Sequence, residues 1–314
     1  MLRFVLSRFG QTIAVLLMAS VIIFALMRLI PGDPVLMVLG DDFSQDAYER
    51  MRAKLGLDRG LVVQYVLWLR SVLQGDLGDS ILQHQRVSIL VWEAFVPTLV
   101  LVVASVIVGI LIALPSGIVA AMRKDSAWDY GSMGFAIFAY SMPSFWKGIL
   151  LIWIFSVHFR WFPAMGYVAP WADFGDAVWK LVLPAITLGT FFSGLVARII
   201  RSSLLEVLEA DYIKAARAKG VRQAALVYRH ALSNALIPVV TVIGLQFGAL
   251  LGGAVLTETV FAIPGMGRLT VTAILNRDYA VVQGTILAGV LLVVLVNLAV
   301  DLTYAFLNPR IRVA

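Results

Sequence analysis

Residues 94–122 read AFVPTLVLVVASVIVGILIALPSGIVAAM, a run without a single Asp, Glu, Lys, Arg or His. About 20 apolar residues in a helix cross the hydrocarbon core of a bilayer. A membrane β-strand would alternate apolar and polar over about ten residues. This run is apolar on every side, so it reads as a helix meant for lipid or for a core built around it.

Five further segments match it on either side: Phe9–Met27, Met133–Val157 with Lys147 inside, Leu181–Val196 ended by Arg198, Ala235–Leu256, and Ala280–Val300 with Asp301 near its end. The whole chain agrees with them. Of its 314 residues 61% are hydrophobic and 14% charged, and the mean hydropathy is +0.90, whereas soluble domains carry about 25% charged residues. A soluble globule of this length has too little interior for so much apolar material. The prediction is an all-α polytopic membrane protein with six transmembrane helices. Arg3 and Arg8 before the first apolar run resemble a signal peptide, but the run is longer than such a core and continues into Arg28-Leu29-Ile30-Pro31, so it is kept as a helix.

The basic residues set an orientation. With the N-terminus in the cytoplasm, the inner segments 1–8, 123–132, 197–234 and 307–314 hold 13 Lys and Arg in 64 positions. The outer segments 28–93, 158–180 and 257–279 hold 11 in 112. The twofold difference in density follows the positive-inside rule and places both termini inside.

Two connecting segments are long. In the outer one, 31–93, Pro31-Gly32-Asp33-Pro34 makes a rigid exit. Phe43–Leu55 carries Tyr48, Met51 and Leu55 at helical spacing, and Leu61–Leu73 puts Leu61, Tyr65, Trp68 and Val72 on one face. It reads as a small helical subdomain, either a cap on the spans or a docking surface for a soluble partner. The inner one, 198–234, reads as a helical hairpin. Ser202-Ser203 with Glu206 is a helix start of the capping-box kind. Leu204, Leu205, Val207, Leu208 and Tyr212 form an apolar face, and Gly220 after Lys219 stops the helix. A second helix then begins near Arg222. Ala215, Ala216 and Ala218 make a small-residue patch that another surface can approach closely. Lys214, Arg217, Lys219 and Arg222 surround it, and anionic lipid is a competing partner for those charges.

Within the spans, Gly244, Gly248 and Gly252 recur at four-residue steps, a small-residue ridge suited to helix contact. Pro115, Pro143 and Pro184 are expected to kink or break their spans. Lys147 either lines a path or snorkels to the outer interface, and the latter is the favoured reading. Asn297 and Asp301 near an inner end do not make a proton relay.

The chemistry of catalysis is missing from the sequence. There is no cysteine, and the three histidines are far apart. No G-x-x-x-x-G-K-[ST], H-E-x-x-H or G-x-S-x-G occurs. The basic stretch at 212–230 is short and tethered between spans, which argues against nucleic acid.

The inner hairpin also carries a resemblance. Lys214-Ala215-Ala216, then Gly220, then Ile237-Pro238 resembles the EAA loop of the membrane subunits of bacterial ABC importers. The match is closer to the dipeptide/oligopeptide/nickel permease branch, first-subunit type. Asp211 to Gly220 follows its D-Y-[IV]-[RK]-x-A-R-A-K-G pattern. So do His230-Ala231-Leu232, Gly75-Asp76-Leu77-Gly78 with Ser80, Pro97-Thr98-Leu99, Pro143-Ser144-Phe145, Trp161-Phe162-Pro163 with Gly166-Tyr167, Leu183-Pro184, Glu258 to Gly267, and Asn308 to Arg312. The matches span nearly the whole chain. Lys214 stands where the general pattern has Glu, Ala280 where Pro is usual, and Asn308 where Asp is usual.

The resemblance implies a type I ABC importer permease fold with a cytoplasmic coupling hairpin, in the bacterial inner membrane. Such a subunit is half of a membrane heterodimer with a second homologous permease. Two cytoplasmic ATPase subunits hold ATP and Mg, and this chain holds no cofactor and catalyses no reaction. A periplasmic or lipid-anchored substrate-binding protein delivers the cargo. The coupling residues implied are Asp211, Tyr212, Lys214, Ala215, Ala216, Arg217, Ala218, Lys219 and Gly220. Gly75, Asp76, Gly78, Glu258, Pro264 and Gly265 are expected at the docking face, and Gly244, Gly248, Gly252 and Lys147 in helix packing or along the path. Di- or oligopeptides are the expected cargo. Glutathione or nickel-chelate uptake, and a non-transporting scaffold that recruits a cytoplasmic partner, stand as alternatives.

Overall fold

The computed structural model describes residues 2–29, 44–54 and 58–307. Among these, regular structure is helical, with one isolated bridge between Asp79 and Arg86. The helices are α1 (Leu2–Leu29), α2 (Gln45–Lys54), α3 (Leu61–Leu73), α4 (Val87–Met122), α5 (Ala127–Ser141), α6 (Ser144–His158), α7 (Phe174–Leu208), α8 (Asp211–Ala218), α9 (Gln223–Val260), α10 (Met266–Leu275) and α11 (Tyr279–Leu307). Five are long and apolar enough to cross a membrane, or six if the bent pair α5–α6 counts as one crossing. The exit turn Pro31–Pro34, Leu55 and the Asn308–Arg312 ending lie outside the described residues, as does the side chain of Asp301.

Several helices run past the bounds that hydropathy sets. α4 begins at Val87, so Glu93 and the six residues before it belong to a helix rather than to the outer loop. α7 starts at Phe174 and continues through Arg198 to Leu208. The helix start expected at Ser202-Ser203 is therefore not there; both serines lie inside one unbroken helix. Likewise the second hairpin helix and the fifth span are a single helix, α9, with a π-helical stretch at Leu226–Ala231. The helical backbone continues through Pro115 in α4 and Pro184 in α7. Pro143 does break its span: α5 and α6 meet at 104°. Met142 is extended (φ −78°, ψ 125°), as a residue before proline tends to be.

The chain forms two packed units. One comprises 97–264 with the chain from 295 onward. Its core joins Leu101, Leu188, Phe192, Ile200, Leu204, Ile213, Leu226, Leu250 and Phe261, all buried. α4 and α7 cross here at their glycines. A Cβ on Gly189 would stand 2.6 Å from the Ser105 carbonyl oxygen, and one on Gly117 2.8 Å from that of Ala197. Only hydrogen fits, and the two backbones touch.

The other unit comprises 2–96 with 265–294. Val87, Leu90, Val91, Ala273, Val281 and Val282 form its core, with Met27 and Leu77 packed on it. α3 crosses α1 at Phe24, whose ring lies 5.5 Å from that of Tyr65 and 5.8 Å from that of Trp68. Tyr65 and Ser20 share a hydrogen bond of 2.8 Å.

Candidate functional site

The stretch singled out for coupling folds as the short helix α8. α7 ends at Leu208, Ala210 is extended, and Asp211 opens α8 at the end where a helix favours negative charge. Its end is a Schellman motif: Gly220 N–H donates to the Arg217 carbonyl (3.0 Å) and Val221 N–H to that of Ala216 (3.3 Å). Gly220 has φ +82°, the left-handed conformation that the stop requires.

One side of α8 is a firm anchor. Ile213 is 0% exposed and shares the core with Leu204, Leu226, Val227 and Ala231. Ala216 is half-buried against that core. Asn234 on α9 donates to the Tyr212 hydroxyl at 2.8 Å. The other side is open: Asp211, Tyr212, Lys214, Ala215, Arg217, Ala218, Lys219 and Gly220 are exposed. Lys214 pairs with Asp211 at 3.2 Å, both well solvated, so that contact stabilises α8 by no more than a few tenths of a kcal/mol, ~0.5 at most. The structure thus gathers the expected coupling residues on one knob, with a hydrophobic root and a small, basic crown.

Two turns before the end of α7, Arg201 donates to Asp129 twice, Nε to Oδ1 and Nη2 to Oδ2, both at 2.6 Å. The Asp129 side chain is 2% exposed and also accepts the Asp125 N–H at 3.0 Å. Seventy-two residues separate the partners, and no local pattern in the sequence joins them.

The break in the third span explains Lys147. The Ala139 carbonyl near the end of α5 ordinarily accepts the N–H four residues on, but that residue is Pro143, which has none. Lys147 supplies the missing donor: its ammonium lies 2.9 Å from Ala139 O and 2.9 Å from Thr190 Oγ1. The side chain is 7% exposed. It turns inward and does not snorkel, which corrects the favoured sequence reading. Beside the break lies a cavity of about 290 Å³, lined by Tyr140, Ser141, Met142, Pro143, Ser144, Leu188, Phe191, Ala249 and Gly253. The rings of Tyr140 and Phe191 stack on one another at 4.9 Å.

The remaining expected residues scatter. A Cβ on Gly244 would stand 2.6 Å from Val300, whereas one on Gly252 meets nothing within 4 Å among the described residues. Gly248 is half-buried. Among the described residues the four-residue ridge is therefore not one continuous contact; besides Gly244 the close approach is made by Gly253, next to Gly252, 2.8 Å from Leu188. Glu258, expected at the docking face, is 0% exposed and accepts from Thr98 Oγ1 at 2.6 Å. Gly265 is buried as well, whereas Pro264 is exposed. Gly75 and Gly78 are exposed with φ +80° and +85°, and Asp76 Oδ1 accepts the Gly78 N–H. The loop that follows is tied down by Asp278, which accepts from Ser80 Oγ at 2.6 Å and Ile81 N–H at 3.1 Å.

Comparison with known proteins agrees with this architecture. The sequence pattern of the family described as binding-protein-dependent transport system inner membrane component fits residues 113–313, and that of its N-terminal part fits residues 1–87. The chain is 42% identical over 340 aligned residues to the dipeptide transport system permease protein DppB of Escherichia coli (strain K12), covering 99% of both. It is 43% identical over 314 residues to a putative peptide transport system permease protein of Brucella abortus (strain 2308), again covering 99% of both. Among solved structures, inward-facing forms of the MetNI methionine ABC transporter match with TM-scores of 0.56 and 0.57 at 19% and 20% identity, over 70% of this chain and 96% of theirs. At that identity the likeness speaks to the fold, an all-α polytopic membrane fold of the ABC importer permease kind. The chain belongs to the family of binding-protein-dependent transport system inner membrane components, as a permease subunit on the branch of the dipeptide and peptide permeases.

Proposed function

We propose that this subunit forms half of the translocation path of an ATP-driven importer of di- or oligopeptides, crossing the membrane six times with both termini in the cytoplasm. The cargo class rests on the near-full-length likeness to dipeptide and peptide permeases. The mechanism rests on one observation, the exposed crown of α8 on a buried root. A partner that grips the crown moves Ile213 and the inner ends of α7 and α9 with it, because all three share one core. ATP is held and hydrolysed by partner ATPases that take the crown in a cleft. A second permease completes the path, and an external binding protein selects the cargo. α5 and α6 count together as one broken crossing in this scheme.

The complex purified through this chain should contain a second permease, ATPase chains and, when cargo is present, a binding protein. After reconstitution it should import dipeptide only with ATP inside. Competition by oligopeptides, glutathione and a nickel chelate ranks the cargo. A cysteine introduced beside Gly220 is unique, since the chain has none. It should resist an impermeant thiol reagent in intact cells and react in inverted vesicles. Reaction from outside, or purification without an ATPase, would overturn the reading.

A further inference from the structure

α5 is fastened to α7 at three heights. Towards its start, Asp129 is held by the two-bond fork from Arg201. Midway, Gly194 brings α7 against the backbone of α5; a Cβ there would run into the Ala136 carbonyl. Towards its end, Lys147 bridges Ala139 O and Thr190 Oγ1. Seven residues separate the first two contacts on each helix, and three or four the next two, in opposite directions. The three contacts therefore form one antiparallel seam. At one end of it α7 runs on from Arg201 to Leu208, and α8 begins at Asp211. At the other end lie Met142 and Pro143, where the span breaks beside the cavity.

Apolar contacts between helices tolerate some sliding. A planar guanidinium bound to both oxygens of one carboxylate fixes direction as well as distance. Coupling between distant sites needs a connected element on which both act. We propose that the Asp129–Arg201 pair is a strut that passes displacement of α8 along α7 to α5, and so to the break at Met142–Pro143. Both side chains are positioning residues for transport and touch neither cargo nor nucleotide. The inference rests on the transport reading above.

The test compares three versions of the reconstituted complex: parent, Asp129→Asn and Arg201→Lys. Each is measured for assembly, ATP hydrolysis and uptake of labelled alanyl-alanine. In a parallel set Met142→Cys reports, by the rate at which its thiol is alkylated, whether the break responds to ATP. Asp129→Asn should assemble and hydrolyse ATP, yet its uptake per ATP should fall about 5- to 150-fold, the usual span of allosteric coupling. Alkylation of the thiol introduced at the break should then become indifferent to ATP. Arg201→Lys keeps the charge but not the fork, and should fall between the other two. Unchanged uptake per ATP, with alkylation at the break still responsive, would overturn the strut. So would loss of assembly in both variants, which would make the pair a folding contact only. A parent complex that neither hydrolyses ATP nor shows an ATP response at the break would overturn the transport reading itself.

Discussion

Gly189→Ala adds one methyl group where α7 crosses α4. Its carbon would stand 2.6 Å from Ser105 O, 3.1 Å from Gly109 N and 3.2 Å from Val108 Cβ. Packed carbons rest at roughly 3.5–4.0 Å, so the shortfall is about 1 Å. It falls mainly on helical backbone, which cannot swing aside as a side chain can. The helices must part or bend, and every contact along the crossing lengthens with them. Overpacking of this kind costs about 1–3 kcal/mol. At roughly 1.5 °C per kcal/mol for a chain of this size, the midpoint of heat denaturation should drop by roughly 1.5 to 5 °C. Gly131→Ala on α5 serves as control, because its Cβ meets nothing within 4 Å among the described residues; better helix propensity should make it neutral or stabilising by up to ~1 kcal/mol. The assay is the fraction of detergent-solubilised chain still monodisperse after heating. If Gly189→Ala melts with the parent, or if both substitutions shift alike, the close crossing is wrong.

Lys147→Met leaves the Ala139 carbonyl without the donor that stands in for Pro143, and should destabilise the chain by about 1–3 kcal/mol in the same assay; stabilisation would refute the substitute-donor account. Gly220→Ala keeps the hairpin but strains a left-handed residue by about 1–2 kcal/mol, while Gly220→Asn should be milder, so uptake should rank parent, Asn, Ala; equal uptake by all three would remove the conformational argument. Among the described residues the buried Tyr167 hydroxyl has no hydrogen-bond partner, and burial pushes its phenol above the usual tyrosine range. Tyr167→Phe should therefore melt no lower than the parent, and a clear loss would mean that the hydroxyl is satisfied. Ser80→Ala removes the 2.6 Å bond to Asp278 and should speed proteolytic cutting within 79–86 without changing ATP hydrolysis.

What is legible in the sequence follows from what hydropathy measures. It reports where a helix passes through lipid, and so the six apolar runs stand out. It does not report where the helix ends. α7 runs ten residues beyond Arg198 because the buried side chains of Ile200 and Leu204 carry an amphipathic helix on past the apolar run. The serines at 202 and 203 are good caps only where a helix has reason to start. Gly220 is readable because its conformation is local. Lys147 is not: its direction depends on a bend that brings it beneath Ala139, three-dimensional information that a linear run lacks. The Asp129–Arg201 pair is hidden for the same reason. Gly109, Gly117, Gly189 and Gly194 do leave a trace, as small residues recurring in the second and fourth spans, but the more regular spacing at Gly244, Gly248 and Gly252 draws the eye to a ridge that the chain itself only partly uses.

The missing amide hydrogen of Pro143 has a consequence for how the protomer faces its surroundings. In hydrocarbon an unpaired peptide group costs several kcal/mol, so irregular backbone at membrane depth survives only where protein or water covers it. Lys147 satisfies one carbonyl at the bend, and beside it lies the cavity that Ser141 and Ser144 line together with Met142, Leu188 and Phe191. In the proposed six-crossing arrangement the bend must therefore be covered by protein or water rather than by acyl chains.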